Sequence, residues 1–245
     1  FTVSGSSLLT LGFAKGDTIL HTVLAFSEAT LGLILVALLI AYLPTMYNAF
    51  SAREIAVNLL AVRAGSPPLA PELLLRYHRI GQLEEINETW EKWERWFAEL
   101  EESHTSLSPL VFFRSPNPEQ SWVTASGAVL DAAALYLSSL DLPPSPEAML
   151  CIRAGYLSLR RIADLFRIPF EKEPLYPDSP ISITYAEFEL ALKSFADQGI
   201  PIRENIGQAW QDFAGWRVNY DSVLIDLCEL TMAPMAAWSG DPVIE

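Results

Sequence analysis

Residues 22–43, TVLAFSEATLGLILVALLIAYL, decide the fold of this chain because they form one long apolar run interrupted only by Glu28. As a helix this run is ~33 Å long, which is enough to cross a hydrocarbon core of ~30 Å. A buried helix of a soluble protein is the alternative, and the length of the run disfavours it. The sequence therefore predicts one membrane-spanning helix, with a kink or an exit at Pro44.

Basic residues are distributed unevenly on the two sides of this run. Arg53, Arg63 and Arg76 follow it, whereas Lys15 is the only lysine or arginine before it. Segments next to a membrane span carry more Lys and Arg on the cytoplasmic side. We therefore expect the carboxyl-terminal part of the chain to lie in the cytoplasm and membrane lipid to surround the span.

A loop ahead of the span carries the second signal. Residues 4–17 read SGSSLLTLGFAKGD, in which Ser4–Leu9 favours a short helix and Thr10–Ala14 an extended segment. Irregular backbone at membrane depth persists only where it is buried in protein or lines a water-filled path. Potassium filters use rings of backbone carbonyls to replace the hydration shell of the ion, and glycine permits the dihedral angles that aim such carbonyls. The segment predicts a pore loop.

The order of loop and span resembles the pore-loop plus inner-helix module of the two-transmembrane (ion channel 2 type) potassium channel family, over about residues 1–55. Gly32 falls where inner helices of that family often carry a hinge glycine. Ala14 stands where the family usually has glycine, and Phe13 where it has tyrosine. By this resemblance the cation-binding positions are Thr10, Leu11, Gly12, Phe13 and Ala14, and the candidates for gating or pore lining are Glu28, Gly32 and Pro44.

The resemblance also implies partners and a location. One filter segment per chain lines only a quarter of a fourfold pore, so we expect a homotetramer. A first transmembrane helix is expected upstream of residue 1, since a re-entrant loop needs flanking spans. The nearest relatives by this resemblance are bacterial proteins with a long acidic helical tail, which places the chain in the bacterial inner (plasma) membrane. Permeant K⁺ is the expected ion, and no other cofactor or metal is implied.

The rest of the chain reads as an all-α, acidic cytoplasmic domain over residues 53–245, after the pore loop and inner helix of residues 1–52. Trp90, Trp93 and Phe97 recur at steps of three and four residues, the spacing of one apolar helix face. Caps, prolines and apolar spacing predict further helices at 51–64, 71–80, 120–140, 147–166, 184–199 and 204–232, with Asn117 at the start of the third.

Several functions are disfavoured by composition. The net charge is −14 and the 16 basic residues are scattered, which argues against binding to nucleic acid. Glu101 and His104 form one Glu-x-x-His step, but a helix-bundle di-iron site needs two, so His104 is interpreted as a helix-end residue. Cys151 and Cys228 are expected to be buried reduced thiols. The sequence contains no nucleophile elbow, phosphate loop or dinucleotide fingerprint, and no enzyme is predicted.

Two functions of different class remain. The leading hypothesis is a potassium-channel-like pore subunit, whose cytoplasmic domain assembles the tetramer or responds to an unknown cytoplasmic ligand or protein. The alternative is a non-conducting, membrane-anchored helical protein that binds or regulates a protein partner. A second transmembrane helix ahead of residue 1 in the full-length protein favours the pore, because a loop cannot re-enter lipid without it.

Overall fold

The computed structural model describes residues 2–14 and 18–234. The chain is 72% helical and contains no strand within this described part, so the all-α fold predicted from the sequence is confirmed. It forms two compact units, Phe1–Phe50 and Ser51–Glu245. The helices are α1 (Thr2–Leu8), α2 (Ile19–Ala64), α3 (Ala70–Arg79), α4 (Asn87–Ser106), α5 (Trp122–Ser139), α6 (Pro146–Leu165), α7 (Tyr185–Asp197), α8 (Ile206–Arg217) and α9 (Asp221–Thr231).

Helix α2 contains the long apolar run. It is the one helix of the described residues that is long and apolar enough to cross a membrane. Its Leu, Ile and Val side chains between Ile19 and Leu43 are mostly exposed to the surroundings of the chain, which is the pattern of a helix that needs lipid or another apolar partner around it. The helix continues through Pro44 and ends at Ala64.

The second unit is built around α5. All of its residues from Trp122 to Ser139 are buried, because α3, α6, α8 and α9 pack around it. Close approach is possible where the partner has no side chain. A Cβ on Gly155 of α6 would lie only 2.4 Å from the Leu130 side chain and 3.0 Å from that of Phe97. The tryptophan face of α4 also points inward, and Trp90 is fully buried.

A charged network lies at the centre of this unit. The guanidinium of Arg217 is paired with both Asp131 and Asp221, and all three residues are buried. The hydroxyl of Tyr220 donates to Asp131 Oδ1 over 2.8 Å, and the hydroxyl of Ser182 donates to Asp221 Oδ1 over 2.7 Å. The two carboxylates raise the pKa of Arg217 despite its burial. The network therefore holds a permanent cation that its neighbours satisfy with hydrogen bonds.

The long carboxyl-terminal helix predicted at 204–232 is wrong in one respect, because the structure has two helices there. Helix α8 ends at Arg217 and α9 begins at Asp221. The amide of Asn219 donates to the carbonyls of Gly215 and Trp216 over 3.0 and 3.2 Å. A side chain that occupies the last carbonyls of a helix ends it at that point.

The start of α5 also differs from the sequence prediction. The helix begins at Trp122 rather than after Asn117, and the hydroxyl of Ser121 caps it by accepting from the Val123 N–H over 3.2 Å. Asn117 instead forms a local turn, in which its side chain accepts from the N–H of Glu119 over 3.1 Å. An Asn-Pro pair favours turns as readily as helix starts, which explains the difference.

The last part of α2 is held in the second unit by Arg53. Its guanidinium donates to the carbonyls of Leu110 and Phe113 over 2.9 and 2.5 Å and lies 3.1 Å from Nε2 of His104. Arg53 also pairs with Glu54 over 2.8 Å, and both side chains are buried. Because an arginine can only donate, His104 Nε2 must accept, which places the imidazole proton on Nδ1 beside the Ser103 hydroxyl.

His104 is consequently not the dipole-stabilised helix-end residue that the sequence suggested. It is buried, and burial followed by the neighbouring Arg53 cation lowers its pKa to about 3. The histidine therefore stays neutral in the folded protein at all ordinary pH values.

This histidine predicts acid sensitivity of the second unit. Its pKa is about 3 when folded and has the ordinary value of 6.5 when unfolded, so unfolding takes up a proton between those values. The stability is fully present above the unfolded pKa and is lost as the pH falls below it. We expect about 2 kcal/mol of stability to be lost between about pH 7 and pH 5. Denaturant unfolding of wild type and His104→Gln measures this, since glutamine keeps the acceptor but does not titrate.

The control is His78→Gln, which removes a partly exposed histidine bonded to the carbonyl of Gln198. It should retain the acid sensitivity of the wild type, whereas His104→Gln should lose most of it. An unchanged pH dependence in His104→Gln would show that the buried imidazole is not the responsible group.

Candidate functional site

The loop after α1 is organised by one buried side chain, Ser6. The backbone carbonyl of Ser6 accepts the N–H groups of Leu11 and Gly12 over 2.8 and 3.4 Å. The Ser6 hydroxyl oxygen accepts the next two, from Phe13 and Ala14, over 3.0 and 3.2 Å. Ser6 is only 1% exposed, and its hydroxyl bonds to Phe13 and Ala14 are partly buried. Four successive amide groups of the loop therefore converge on a single residue.

This convergence determines where the loop carbonyls point. In a planar trans peptide the carbonyl of one residue is directed opposite to the N–H of the next. The carbonyls that belong to these four peptides, from Thr10 to Phe13, are thus directed away from α1. None of them accepts a hydrogen bond from another residue in the ranges 2–14 and 18–234. The loop presents four acceptor oxygens on one side, which is the arrangement needed to replace the water around a cation.

The sign of the backbone φ angle alternates along the loop. Thr10 and Gly12 have positive φ angles of 56° and 71°, while Leu11 and Phe13 between and after them do not. Such alternation lets consecutive carbonyls share one side, which a strand with its alternating carbonyls does not allow. Gly12 adopts this conformation without steric cost, but Thr10 is β-branched and carries strain of about 1–3 kcal/mol. Thr10 adopts this conformation where α1 ends, since its N–H bonds to the Ser7 carbonyl over 3.0 Å and the N–H of Leu11 to the Ser6 carbonyl over 2.8 Å, which is the Schellman pattern of helix ends.

Ala14 is compatible with this backbone. Its φ is not in the left-handed region, so its Cβ meets no conformational penalty. Its N–H is satisfied by the Ser6 hydroxyl. Lys15 and Gly16, which follow it, lie outside the described residues.

Gly32 brings α2 against the end of α1. It is buried, and a Cβ placed on it would lie 1.8 Å from the carbonyl oxygen of Leu8 and 2.9 Å from the carbonyl carbon. No real contact is that short, so only glycine fits between these helices as they stand. The structure thus gives Gly32 a packing role in the middle of a continuous helix, at the position where the sequence suggested a hinge.

Glu28 lies behind the loop rather than on the side of its carbonyls. Its Oε1 accepts from the hydroxyl of Ser4 in α1 over 2.8 Å, and the residue is half-buried. A half-buried carboxylate needs a hydrogen-bonding partner, and Ser4 supplies one. Together with Gly32, this contact ties α1 to α2.

Pro44 is not part of this group of residues. It lies further along α2, where the missing N–H removes the usual donor for the carbonyl of Ile40. The neighbouring Thr45 hydroxyl bonds back to the carbonyl of Ala41 over 3.1 Å, a contact typical of bent membrane helices.

Sequence reasoning missed Ser6 as a site residue. It treated Ser4–Leu9 only as a short helix and sought the site in the exposed loop. A signal was present, because a serine in the last turn of a helix can satisfy the N–H groups of the chain that follows it. The Ser6-Ser7 pair offers two such hydroxyls, and only the fold shows that Ser7 instead bonds to the Val3 carbonyl of its own helix, over 2.9 Å.

The metal-ligating and nucleophilic residues that the sequence singled out in the second unit are either paired with other residues or buried. No group of three or more His, Cys, Asp or Glu side chains that could hold a metal ion occurs among the described residues. The Glu101–His104 step is occupied otherwise, since Glu101 pairs with Arg161 and His104 contacts the Arg53 guanidinium. Cys151 and Cys228 are both buried.

Comparison with protein-family models, with curated proteins and with solved structures finds no match to this chain.

The tight contact at Gly32 gives a direct test of the first unit. Gly32→Ala should force α1 away from α2, because the added methyl would overlap the Leu8 carbonyl. The separation is measured with Ser4→Cys and Glu28→Cys and a short bifunctional thiol reagent. These positions are hydrogen-bonded neighbours, and the two native cysteines are buried. Cross-linking should fall several-fold when alanine replaces Gly32.

Gly5→Ala is the matched control. Gly5 lies in α1 with open space around its Cβ position, so alanine should leave cross-linking unchanged. Equal cross-linking in both glycine variants would contradict the packing assigned to Gly32.

Proposed function

We propose that this chain is a potassium-channel-like pore subunit, in which the carbonyls of Thr10, Leu11, Gly12 and Phe13 coordinate the permeant cation. The observation that carries the proposal is the convergence of four loop amides on Ser6, which leaves four carbonyls on the opposite side without a donor among the described residues. Unpaired carbonyls are costly in an apolar surrounding, and a dehydrated cation is a ligand that compensates them.

The pore is completed by symmetry. A single chain supplies one row of carbonyls, whereas an ion surrounded by rings needs several, so four copies around one axis form the pathway. The exposure of the loop supports this, since Leu11 and Phe13 have 61% and 67% of their surface free in the single chain. Large exposed apolar side chains beside unpaired carbonyls mark a surface that other copies cover.

The membrane and the cytoplasm occupy different parts of the chain in this proposal. Helix α2 is the inner helix, in lipid over its apolar part, and residues 53–245 are the cytoplasmic domain of a bacterial inner-membrane protein. The arginines after the apolar run support this orientation. The domain assembles the tetramer or transmits a signal. Its carbonyl groups accept hydrogen bonds from Arg53, which lies in the last part of α2.

Among the predicted gating residues, two act as supports of the loop in this proposal. Glu28 and Gly32 hold α1 against α2 and so fix the position of Ser6, which lies in α1. Pro44 remains the candidate position for bending of α2, because its ring and its missing N–H weaken the helix there, after the part that contacts α1.

The test is potassium flux into liposomes that carry the full-length protein. Ser6→Ala removes the acceptor for Phe13 and Ala14, which costs the loop about 2 kcal/mol at about 1 kcal/mol for each hydrogen bond. We expect flux to fall by about tenfold or more. Gly12→Asp should abolish it, since aspartate adds a charge and a Cβ at a residue with positive φ.

Ser7→Ala is the control, because its hydroxyl bonds to its own helix and does not contact the loop. Flux should remain near the wild-type level in that variant. Equal flux in wild type and Gly12→Asp would sink the proposal for Thr10–Ala14. Absence of flux from the wild type itself would leave the membrane-anchored, non-conducting interaction protein as the better description.

A further inference from the structure

A cavity of about 270 Å³ opens in the second unit beside the anchoring site of Arg53. It lies between the segment that enters α5 and the segment that leaves α9. Its apolar walls are Val111, Phe113, Pro116, Pro118, Trp122, Met232, Ala233 and Pro234, and its polar residues are Arg114, Ser115, Gln120, Ser121 and Thr231. The size suits a small molecule rather than a peptide or a nucleic acid.

Two residues that line this cavity each have a buried side-chain oxygen with no hydrogen-bond partner among the described residues. These oxygens are Oε1 of Gln120 and Oγ of Ser115. Gln120 is only 8% exposed, so water does not replace the missing partner freely. A buried acceptor without a partner is energetically costly, and the cost is recovered when a ligand supplies a donor. An unsatisfied buried group is rare in a native fold, and a ligand that binds in the cavity beside Gln120 explains it.

The remaining polar groups have other partners or are cations. Ser121 caps α5, and the Thr231 hydroxyl bonds to the Leu227 carbonyl over 2.7 Å. Arg114 makes no hydrogen bond or ion pair with another residue of the described chain and is exposed at the cavity wall. Because Arg114 lies in the cavity wall, its guanidinium is placed to pair with an anionic group bound there.

We propose that this cavity binds a small organic anion that has a flat or branched apolar body and an N–H or O–H donor. Its carboxylate, or a similar anionic group, pairs with Arg114. The donor reaches the orphaned oxygen of Gln120, and the body packs between the prolines and Trp122. This combination of an apolar lining with a few placed polar groups is typical of small-molecule sites.

The site is coupled to α2 through its own walls. The carbonyl of Phe113 accepts the Arg53 guanidinium over 2.5 Å. Trp122 lies against His104 with ring centroids 5.1 Å apart, and His104 in turn contacts Arg53 over 3.1 Å. A ligand that orders Phe113 and Trp122 therefore strengthens the hold on the end of α2. An effect of the ligand on ion flux rests on the proposed function, whereas binding itself does not.

The test uses 5-fluoroindole-2-carboxylate as probe, since it carries a carboxylate, an N–H donor and an apolar ring. Binding is followed by fluorine NMR line broadening with the whole chain in nanodiscs of neutral lipid. Gln120→Met keeps the side-chain length but removes the amide, and Arg114→Gln removes the cation. Each should weaken binding by about tenfold or more, because a charge-assisted or buried hydrogen bond is lost.

Gln211→Met and Arg153→Gln are the matched controls, because both residues are exposed and lie outside the cavity. They should bind the probe as the wild type does. Hydrogen exchange of the segment 104–122 should slow with probe in the wild type and not in Gln120→Met. This readout also shows that each variant is folded, and it does not depend on conduction.

Two results would overturn the proposal. One is equal broadening of the probe signal in the wild type, Gln120→Met and Arg114→Gln, which would mean that the probe only partitions into the lipid. The other is binding that requires removal of residues 235–245, which follow Pro234 directly and lie outside the described residues. That result would identify the chain's own carboxyl-terminal segment as the occupant. Unaltered flux on saturation with a bound probe would count against coupling to the pore and leave the binding site in place.

Discussion

The constraint on which the first unit depends is that buried backbone amides must be satisfied. The N–H groups from Leu11 to Ala14 have no acceptors within the loop, and Ser6 of α1 supplies them all through its carbonyl and its hydroxyl. Because each peptide group is planar, the hydrogen bonds that orient these N–H groups also determine the direction of the carbonyls. The close contact of Gly32 with Leu8 and the bond from Ser4 to Glu28 then serve to keep α1 where Ser6 can act.

In the second unit the buried groups that need hydrogen-bond partners are the guanidinium groups of two arginines. Arg53 and Arg217 are both buried, and each is surrounded by acceptors that match the fork of a guanidinium. Around Arg53 the acceptors are carbonyls of the chain that precedes α5, so the end of α2 is tied to the same segment that lines the cavity. The proposed binding at that cavity and the restraint of α2 therefore share residues rather than acting across a distance.

Much of the fold could be predicted from the sequence, and the limits have clear physical causes. The starts of α6 and α7 follow from local caps, Ser145 and Thr184, which the structure places at those helix ends. The separation of α8 from α9 depends on Asn219, whose side chain donates to the carbonyl of Gly215 in the preceding helix. The apolar periodicity of the sequence does not reveal this hydrogen bond. The site was predicted only in part. Thr10–Ala14 drew attention by composition, whereas Ser6, His104 and Gln120 acquire their roles from residues far away in the chain.

The triad of Arg217, Asp131 and Asp221 has a consequence for how this protein can diverge. Replacing Arg217 leaves two buried carboxylates without their cation, which costs about 3–5 kcal/mol, and that is a large part of the stability of an ordinary domain. Replacing either aspartate leaves Arg217 paired with the other one. Replacing all three together by apolar groups of similar volume can be neutral. Sequences that diverge from this chain are therefore expected to lose Arg217 only together with its aspartates.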